Sequence, residues 1–221
     1  MTATPTSTTA TTMTLYDCST APSPRRARIV LAEKGVRHAT VQVDLRNNEQ
    51  LGDAYRKINP QCTVPALVTD DGLVLTDNAA IAAYLEARFP EPPLFGATPA
   101  EKAEIASWQW RVEFEGLLSI AEAMRNRSPA LAERALPGPV NYAQIPALAE
   151  RGIARLQRFL ADLDARLAGR DFVAGDRFSI ADITAVVAVD FARIVKVQPG
   201  DEHPNVKRWR AAMALRPAMS L

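Results

Sequence analysis

The sequence predicts an α+β chain, a small sheet-and-helix domain followed by an all-α helical bundle domain. Three observations carry this. Strand-like alternation and helical spacing take turns over residues 13–90. A proline-rich segment, Glu91-Pro92-Pro93 to Gly96, then interrupts them as a short, stiff linker at 91–96. From 97 to 221 the apolar spacing is helical throughout. Residues 1–12, almost all Thr, Ala, Ser and Pro, have little to bury and are expected to form a disordered tail.

Within the first domain, Met13 to Asp17 reads as a short strand and Pro24 to Lys34 as a helix. Ala27, Val30 and Leu31 share one face of that helix, and Gly35 stops it. Ala39, Val41 and Val43 alternate with polar residues, the pattern of a half-buried strand. Leu51, Ala54, Tyr55 and Ile58 recur at helical spacing until Asn59-Pro60. Asp70-Asp71-Gly72 is a hairpin turn between Ala66–Thr69 and Leu73–Thr76. Ile81, Tyr84 and Leu85 mark a third helix, closed by Pro90. The order βαβ-α-ββα is thioredoxin-like.

In the second domain, Thr98-Pro99-Ala100-Glu101 is a capping box with proline at the first helical position. The helix after it is expected to bury a stripe of Ala103, Ala106, Ser107, Trp110, Phe114, Leu117, Leu118 and Ala121. Residues 127–146, rich in proline, read as irregular. Helices follow at Ile153–Leu167, from Ser179 to about Ile194, and around Val206, Trp209 and Met213.

Composition narrows the function classes. The chain has 221 residues, a net charge of +1 and ordinary globular hydrophobicity of 48%. No global field draws it to nucleic acid or to an anionic membrane. No apolar run reaches the length of a membrane span, and the start lacks a signal peptide's order, so a cytoplasmic protein is expected. Two cysteines suit a reducing compartment, and the two histidines lack metal-ligand spacing, so no metal is expected.

Three motifs carry a resemblance. Asn59-Pro60-Gln61-Cys62-Thr63-Val64-Pro65-Ala66-Leu67, Leu75-Thr76-Asp77-Asn78-Ala79-Ala80-Ile81 and Phe178-Ser179-Ile180-Ala181-Asp182 stand in the order and spacing of the cytosolic glutathione transferases, which the chain resembles over nearly its whole length. The loop before the first helix is similar to the Ser-type and Cys-type, theta- and zeta-like groups, and leaves the class open. The resemblance implies glutathione as co-substrate and an electrophilic or hydrophobic small molecule as second substrate. It also implies a homodimer. The Val64–Pro65 bond is implied to be cis, with the Val64 backbone pairing the cysteinyl unit of glutathione. Asp77 and Asn78, in place of the family's Glu-Ser, would hold the γ-glutamyl end at a helix start, or simply cap that helix. Gln61 or Lys57 would answer the glycyl carboxylate, where Cys62 replaces a frequent His. Ser179 and Asp182 read as a structural capping box.

The catalytic donor is the missing part. The resemblance to the Ser-type and Cys-type groups implies a donor six residues after Leu15, and that position holds Ala21, which has nothing to donate. Ser23 and Thr20 are the nearest hydroxyls and stand level as substitutes, or as mere capping and turn residues. Cys18 offers thiol–disulfide chemistry as an alternative, or is an inert cysteine at a strand end. Arg25, Arg26 and Arg28 read as a solvated basic face or a subunit edge. Trp108, Arg111, Val112 and Glu115, off the expected buried stripe, would line the second-substrate cleft, or else pack in the core or lie exposed. Tyr142, in the irregular segment, would belong to a lid. Transfer of glutathione to an electrophile is thus expected, with a thiol–disulfide reductase or isomerase and a non-catalytic binding protein as alternatives.

Overall fold

A computed structural model describes residues 12–221, so the expected tail at 1–12 lies outside the described residues apart from exposed Thr12. The sheet has the order β2-β1-β3-β4. Strand β1 (Met13–Asp17) runs parallel to β2 (His38–Gln42) and antiparallel to β3 (Ala66–Val68), which pairs with β4 (Val74–Leu75). Between them lie α1 (Pro22–Glu33) and the short α2 (Asp53–Arg56), and α3 (Asn78–Arg88) follows β4. This is a thioredoxin-like domain with a mixed four-stranded sheet.

Local chemistry explains the departures from the expected elements. Helix α1 starts at Pro22, two residues before the expected Pro24, because proline is favourable at the first helical position. The second helix is broken. A 3₁₀ turn (Glu49–Leu51) gives way to extended Gly52 before α2, so only Tyr55 of the expected apolar face is buried. Strand β2 is an edge: Ala39 and Val41 are exposed, and only Val43, beyond its end, is buried. Alternation there describes the pleat but not a covered face.

The second domain is helical: α4 (Pro99–Arg111), α5 (Leu118–Arg125), α6 (Pro146–Leu167), α7 (Ile180–Phe191) and α8 (Pro204–Met213). The capping box at Thr98 is present, with Glu101 Oε2 accepting from the Ala97 and Thr98 N–H groups. Between α4 and α5 the helix widens into a π turn over Val112–Leu117. The expected buried stripe is on the wrong side. Ala103, Ala106, Ser107, Trp110, Phe114 and Leu118 are exposed, while Ile105, Trp108, Val112, Ile120 and Ala123 are buried. Two apolar stripes interleave on this helix, and the π turn shifts their register by about one residue. Trp108 and Val112 are therefore core residues instead of cleft lining. Arg111 stacks its guanidinium on Trp108, and Glu115 pairs with Arg155.

Helix α7 is buried along almost its whole length and packs against α1, which also touches α3. At its start, buried Asp182 accepts hydrogen bonds from the Ser179 N–H and hydroxyl, the Val173 N–H and the Trp209 indole. The expected structural role of Ser179 and Asp182 is thus realised, with the carboxylate as the hub. Burial pushes the Asp182 carboxyl up to about 6 despite those four donors.

The basic start of α1 is neither a solvated face nor a free edge. Arg25 reaches Asp190 of α7 at 2.7 Å, Arg26 reaches Glu113 of the π turn at 2.5 Å, and Arg28 reaches buried Asp17 at 2.5 Å. Counting charges cannot reveal this, because all three acids come from other elements. At the other end of α1, Lys34 is buried and reaches Glu86 of α3 and the Pro92 carbonyl, while Glu33 pairs with Arg216. Glu86 also accepts the Leu94 and Phe95 N–H groups, so the linker is held along its length.

Candidate functional site

The turn before β3 is built from below. Buried Asn59 donates its amide to the Thr63 carbonyl at 2.8 Å and lies 3.1 Å from the Thr63 hydroxyl. Its own carbonyl oxygen takes the Gln61 N–H at 2.9 Å. The Tyr55 hydroxyl donates to the same Thr63 oxygen at 2.7 Å, and burial pushes that phenol up to about 12. Cys62 is buried with φ of 53°, the left-handed bend that swings the chain into the turn. The Val64–Pro65 bond is cis, and neither the N–H nor the C=O of Val64 has a backbone partner among the described residues. A half-buried residue thus presents a donor and an acceptor side by side, which is what an extended peptide needs for pairing.

Helix α3 begins at Asn78. Asp77 caps the helix: its Oδ1 accepts the Ala80 N–H at 2.7 Å. The plain capping role is therefore occupied by one oxygen of this exposed carboxylate, and the other makes no hydrogen bond among the described residues. The N–H groups of Asn78 and Ala79 stay open at the positive end of the helix. Asn78 Oδ1 is buried without a hydrogen-bond partner among the described residues, as is Arg26 Nε. Burial lowers the Arg26 pKa, and Glu113 and Asp77 oppose that shift.

The loop between β1 and α1 separates the candidate donors. Ala21 caps α1 without any side-chain bond. Pro22 and Pro24 carry no N–H, and the Arg25 N–H already bonds the Ala21 carbonyl at 3.4 Å. In this first turn only Ser23 has a backbone N–H without a backbone partner, and its half-buried hydroxyl makes no hydrogen bond among the described residues. Thr20 is exposed, with Oγ1 3.6 Å from the Sγ of half-buried Cys18. Gln61 and Lys57 are exposed. Sequence reasoning missed Asn59 and Tyr55 as supports of the turn. Asn59-Pro60 reads locally as a helix end, and nothing in the spacing announces that its amide folds forward onto Thr63.

The irregular segment 127–146 contains a 3₁₀ turn (Pro129–Leu131) and an isolated bridge between Arg134 and Tyr142. Arg134 holds it through Gly138 O and Asn141 Oδ1. A Cβ at Gly138 would come within 3.8 Å of the Gln61 carbonyl, so the segment passes near the chain just before the Thr63–Pro65 turn, and Tyr142 is exposed. Among the described residues no group of His, Cys, Asp and Glu could hold a metal ion, and no helix is long and apolar enough to cross a membrane.

Known proteins agree with this arrangement. Residues 20–88 match the glutathione S-transferase N-terminal domain, and residues 128–217 match its C-terminal domain. Glutathione S-transferase 2 of Saccharomyces cerevisiae is 33% identical over 212 residues, covering 94% of this chain and 88% of that protein. The crystal structure of Gtt2 from Saccharomyces cerevisiae superposes with a TM-score of 0.85 at 33% identity, over 94% of this chain and 98% of that one. A glutathione S-transferase domain-containing protein from Marinobacter aquaeolei superposes with a TM-score of 0.84 at 34% identity, over 93% and 99%. The fold, the cis turn before β3 and these matches together place the chain in the glutathione S-transferase family.

Proposed function

We propose that this protein is a glutathione transferase that adds the glutathione thiolate to an electrophilic small molecule in the cleft between its domains. The observation that carries the reading is the Val64 backbone, whose N–H and C=O are both open at the cis bond to Pro65. In this reading Val64 pairs the cysteinyl unit, with Thr63 and Pro65 fixing the turn. Gln61 lies toward the glycyl carboxylate. The free oxygen of Asp77 meets the γ-glutamyl ammonium, and the Asn78 side chain and open helix N–H groups meet its carboxylate.

The sulfur falls to the start of α1. A free thiol has a pKa near 8.5, and a donor at hydrogen-bond distance favours the thiolate. Ser23, with hydroxyl and N–H both open, is the first choice and Thr20 the second. The thiolate attacks, the carbon–sulfur bond forms, and the leaving group departs with its electron pair.

The exposed stripe of Trp110, Phe114 and Leu118, with Trp110 and Phe114 stacked at 5.1 Å, suits the face of a homodimer. Two free thiols suit a cytoplasmic setting. Titration calorimetry with glutathione, followed by transfer to chlorodinitrobenzene, tests the reading. Binding together with turnover that drops in Ser23→Ala supports it, and absence of glutathione binding refutes it.

One observation favours a second reading, a thiol–disulfide reductase or isomerase. Cys18 is half-buried and free in the same loop. Full disulfide-reductase activity in Cys18→Ser would remove a covalent role for Cys18, and no such activity in the parent would remove the reading. Binding without any turnover would leave a non-catalytic binding protein, consistent with Ala21 at the cap.

A further inference from the structure

A cleft of about 890 Å³ opens between the domains beside the same β1–α1 loop. One rim is Ser19, Thr20, Ala21 and Pro22, and the other is formed by the end of α7, the residues after it and α8. Thr63, Val64 and Asp77 do not line it, so it lies apart from the glutathione anchors but shares the loop where the sulfur is expected.

Its charge is out of proportion to the chain. The whole protein carries +1. Among the described residues lining this cleft, Arg25, Arg28, Arg193, Lys207 and Arg210 stand against one acidic side chain, Asp190, and against Leu221, the last residue of the sequence, whose oxygen accepts from Arg25 Nε at 2.8 Å. Asp190 is shared by two guanidiniums, Arg25 at 2.7 Å and Arg210 at 2.7 Å, and Arg25 spends its other donors on the Leu221 and Met219 oxygens, so of these three groups Arg210 keeps the more open cation. Burial alone would raise the Asp190 carboxyl, but hydrogen bonds from Arg210 and Arg25 outweigh it and hold it below the usual range. Arg28 is occupied by Asp17, and Lys207 pairs with the fully exposed Asp201 and feels the nearby exposed Glu202. The Arg193 side chain has no hydrogen bond or ion pair among the described residues. Val187, Val189, Phe191 and Val206 give the same cleft an apolar floor.

A compartment with an apolar floor and surplus cations recognises an organic anion. We propose that this cleft seats the second substrate and selects electrophiles that bear a carboxylate on an apolar body. The carboxylate sits on the Arg193 and Lys207 side, which turns the electrophilic carbon toward the Thr20–Pro22 rim. The proposal rests on the transferase reading above. For a chlorinated nitroarene carboxylate, the glutathione sulfur bonds the ring carbon, chloride leaves with the electron pair, and the thiol proton passes to solvent.

The test compares a chlorodinitrobenzoate with its uncharged methyl ester, each rate normalised to its uncatalysed reaction with glutathione. The intact protein is expected to favour the anion by about tenfold in kcat/KM, the scale of a partly exposed charge-assisted contact. Added salt should reduce that ratio. In Arg193→Gln/Lys207→Gln, both at exposed positions, the ratio should fall toward one. A wild-type ratio of one or less, or a ratio unmoved in the double variant, overturns the proposal. So does a double variant in which only the KM for glutathione rises, since the cations would then serve glutathione's own carboxylates. Failure of the transferase reading looks different: calorimetry would show no glutathione binding, and neither electrophile would turn over.

Discussion

The buried amide of Asn59 donates to the carbonyl oxygen of Thr63 at 2.8 Å, so the residue that ends one segment also sets the turn that begins the next. Asn59→Ala would leave that oxygen with the Tyr55 hydroxyl alone and free the Gln61 N–H. The expected loss is about 1–3 kcal/mol of stability, with glutathione affinity falling several-fold while kcat changes less. Chemical denaturation and calorimetry on the same variant check both.

Ala21→Ser would place a hydroxyl at the cap of α1, where none is present. A helix cap of this kind contributes about 1 kcal/mol, and the same hydroxyl stands where the family's donor is expected. The variant should melt at a higher temperature and form more thiolate at neutral pH. Ultraviolet thiolate absorbance of the glutathione complex, titrated with pH, reads the second effect.

Asp182 makes a pH prediction of definite sign. Its folded-state pKa, about 6, lies above the ordinary 3.8, so between those values the folded state binds a proton that the unfolded state releases. Stability from this group therefore rises as pH falls from about 6 to about 4, by up to about 3 kcal/mol, and the cost of the buried charge is fully present above pH 6. Asp182→Asn removes the titration. It should be less stable than the parent throughout, because its amide cannot accept from all four donors, and the gap should widen toward pH 4. Denaturation curves at several pH values give the double difference, in which the other carboxyls cancel.

Trp110 and Phe114 face solvent within one chain. Trp110→Glu/Phe114→Glu should convert the expected dimer to a monomer in analytical ultracentrifugation, with little change in the stability of each chain. An already monomeric parent would refute the homodimer.

Much of the fold was legible because it rests on local rules. Periodicity marked β1, α1 and the hairpin, and the cap at Thr98 behaved as its residues require. The candidate glutathione turn was legible for a different reason: the run from Asn59 to Leu67 is a motif, and the cis bond is where the motif implies it. What failed needed the third dimension. Trp108 and Trp110 are two residues apart, and either could have faced the core. Only the packing of α6 and α7 against this helix, together with the π turn at Val112–Leu117, decides for Trp108. Arg25, Arg26 and Arg28 looked like solvent-facing charge because Asp190, Glu113 and Asp17 are remote in sequence or already inside a strand.

The Lys34 side chain, fully buried against Glu86 and the Pro92 carbonyl, locks the end of α1 to the linker, and Arg25 and Arg216 lock α1 and its flank to the helical half. Opening the seam would strand Arg25 from Asp190, Arg26 from Glu113 and Glu33 from Arg216. The two halves therefore share one fate under heat or denaturant: a single cooperative transition, with no stage at which the sheet has melted and the helices still stand.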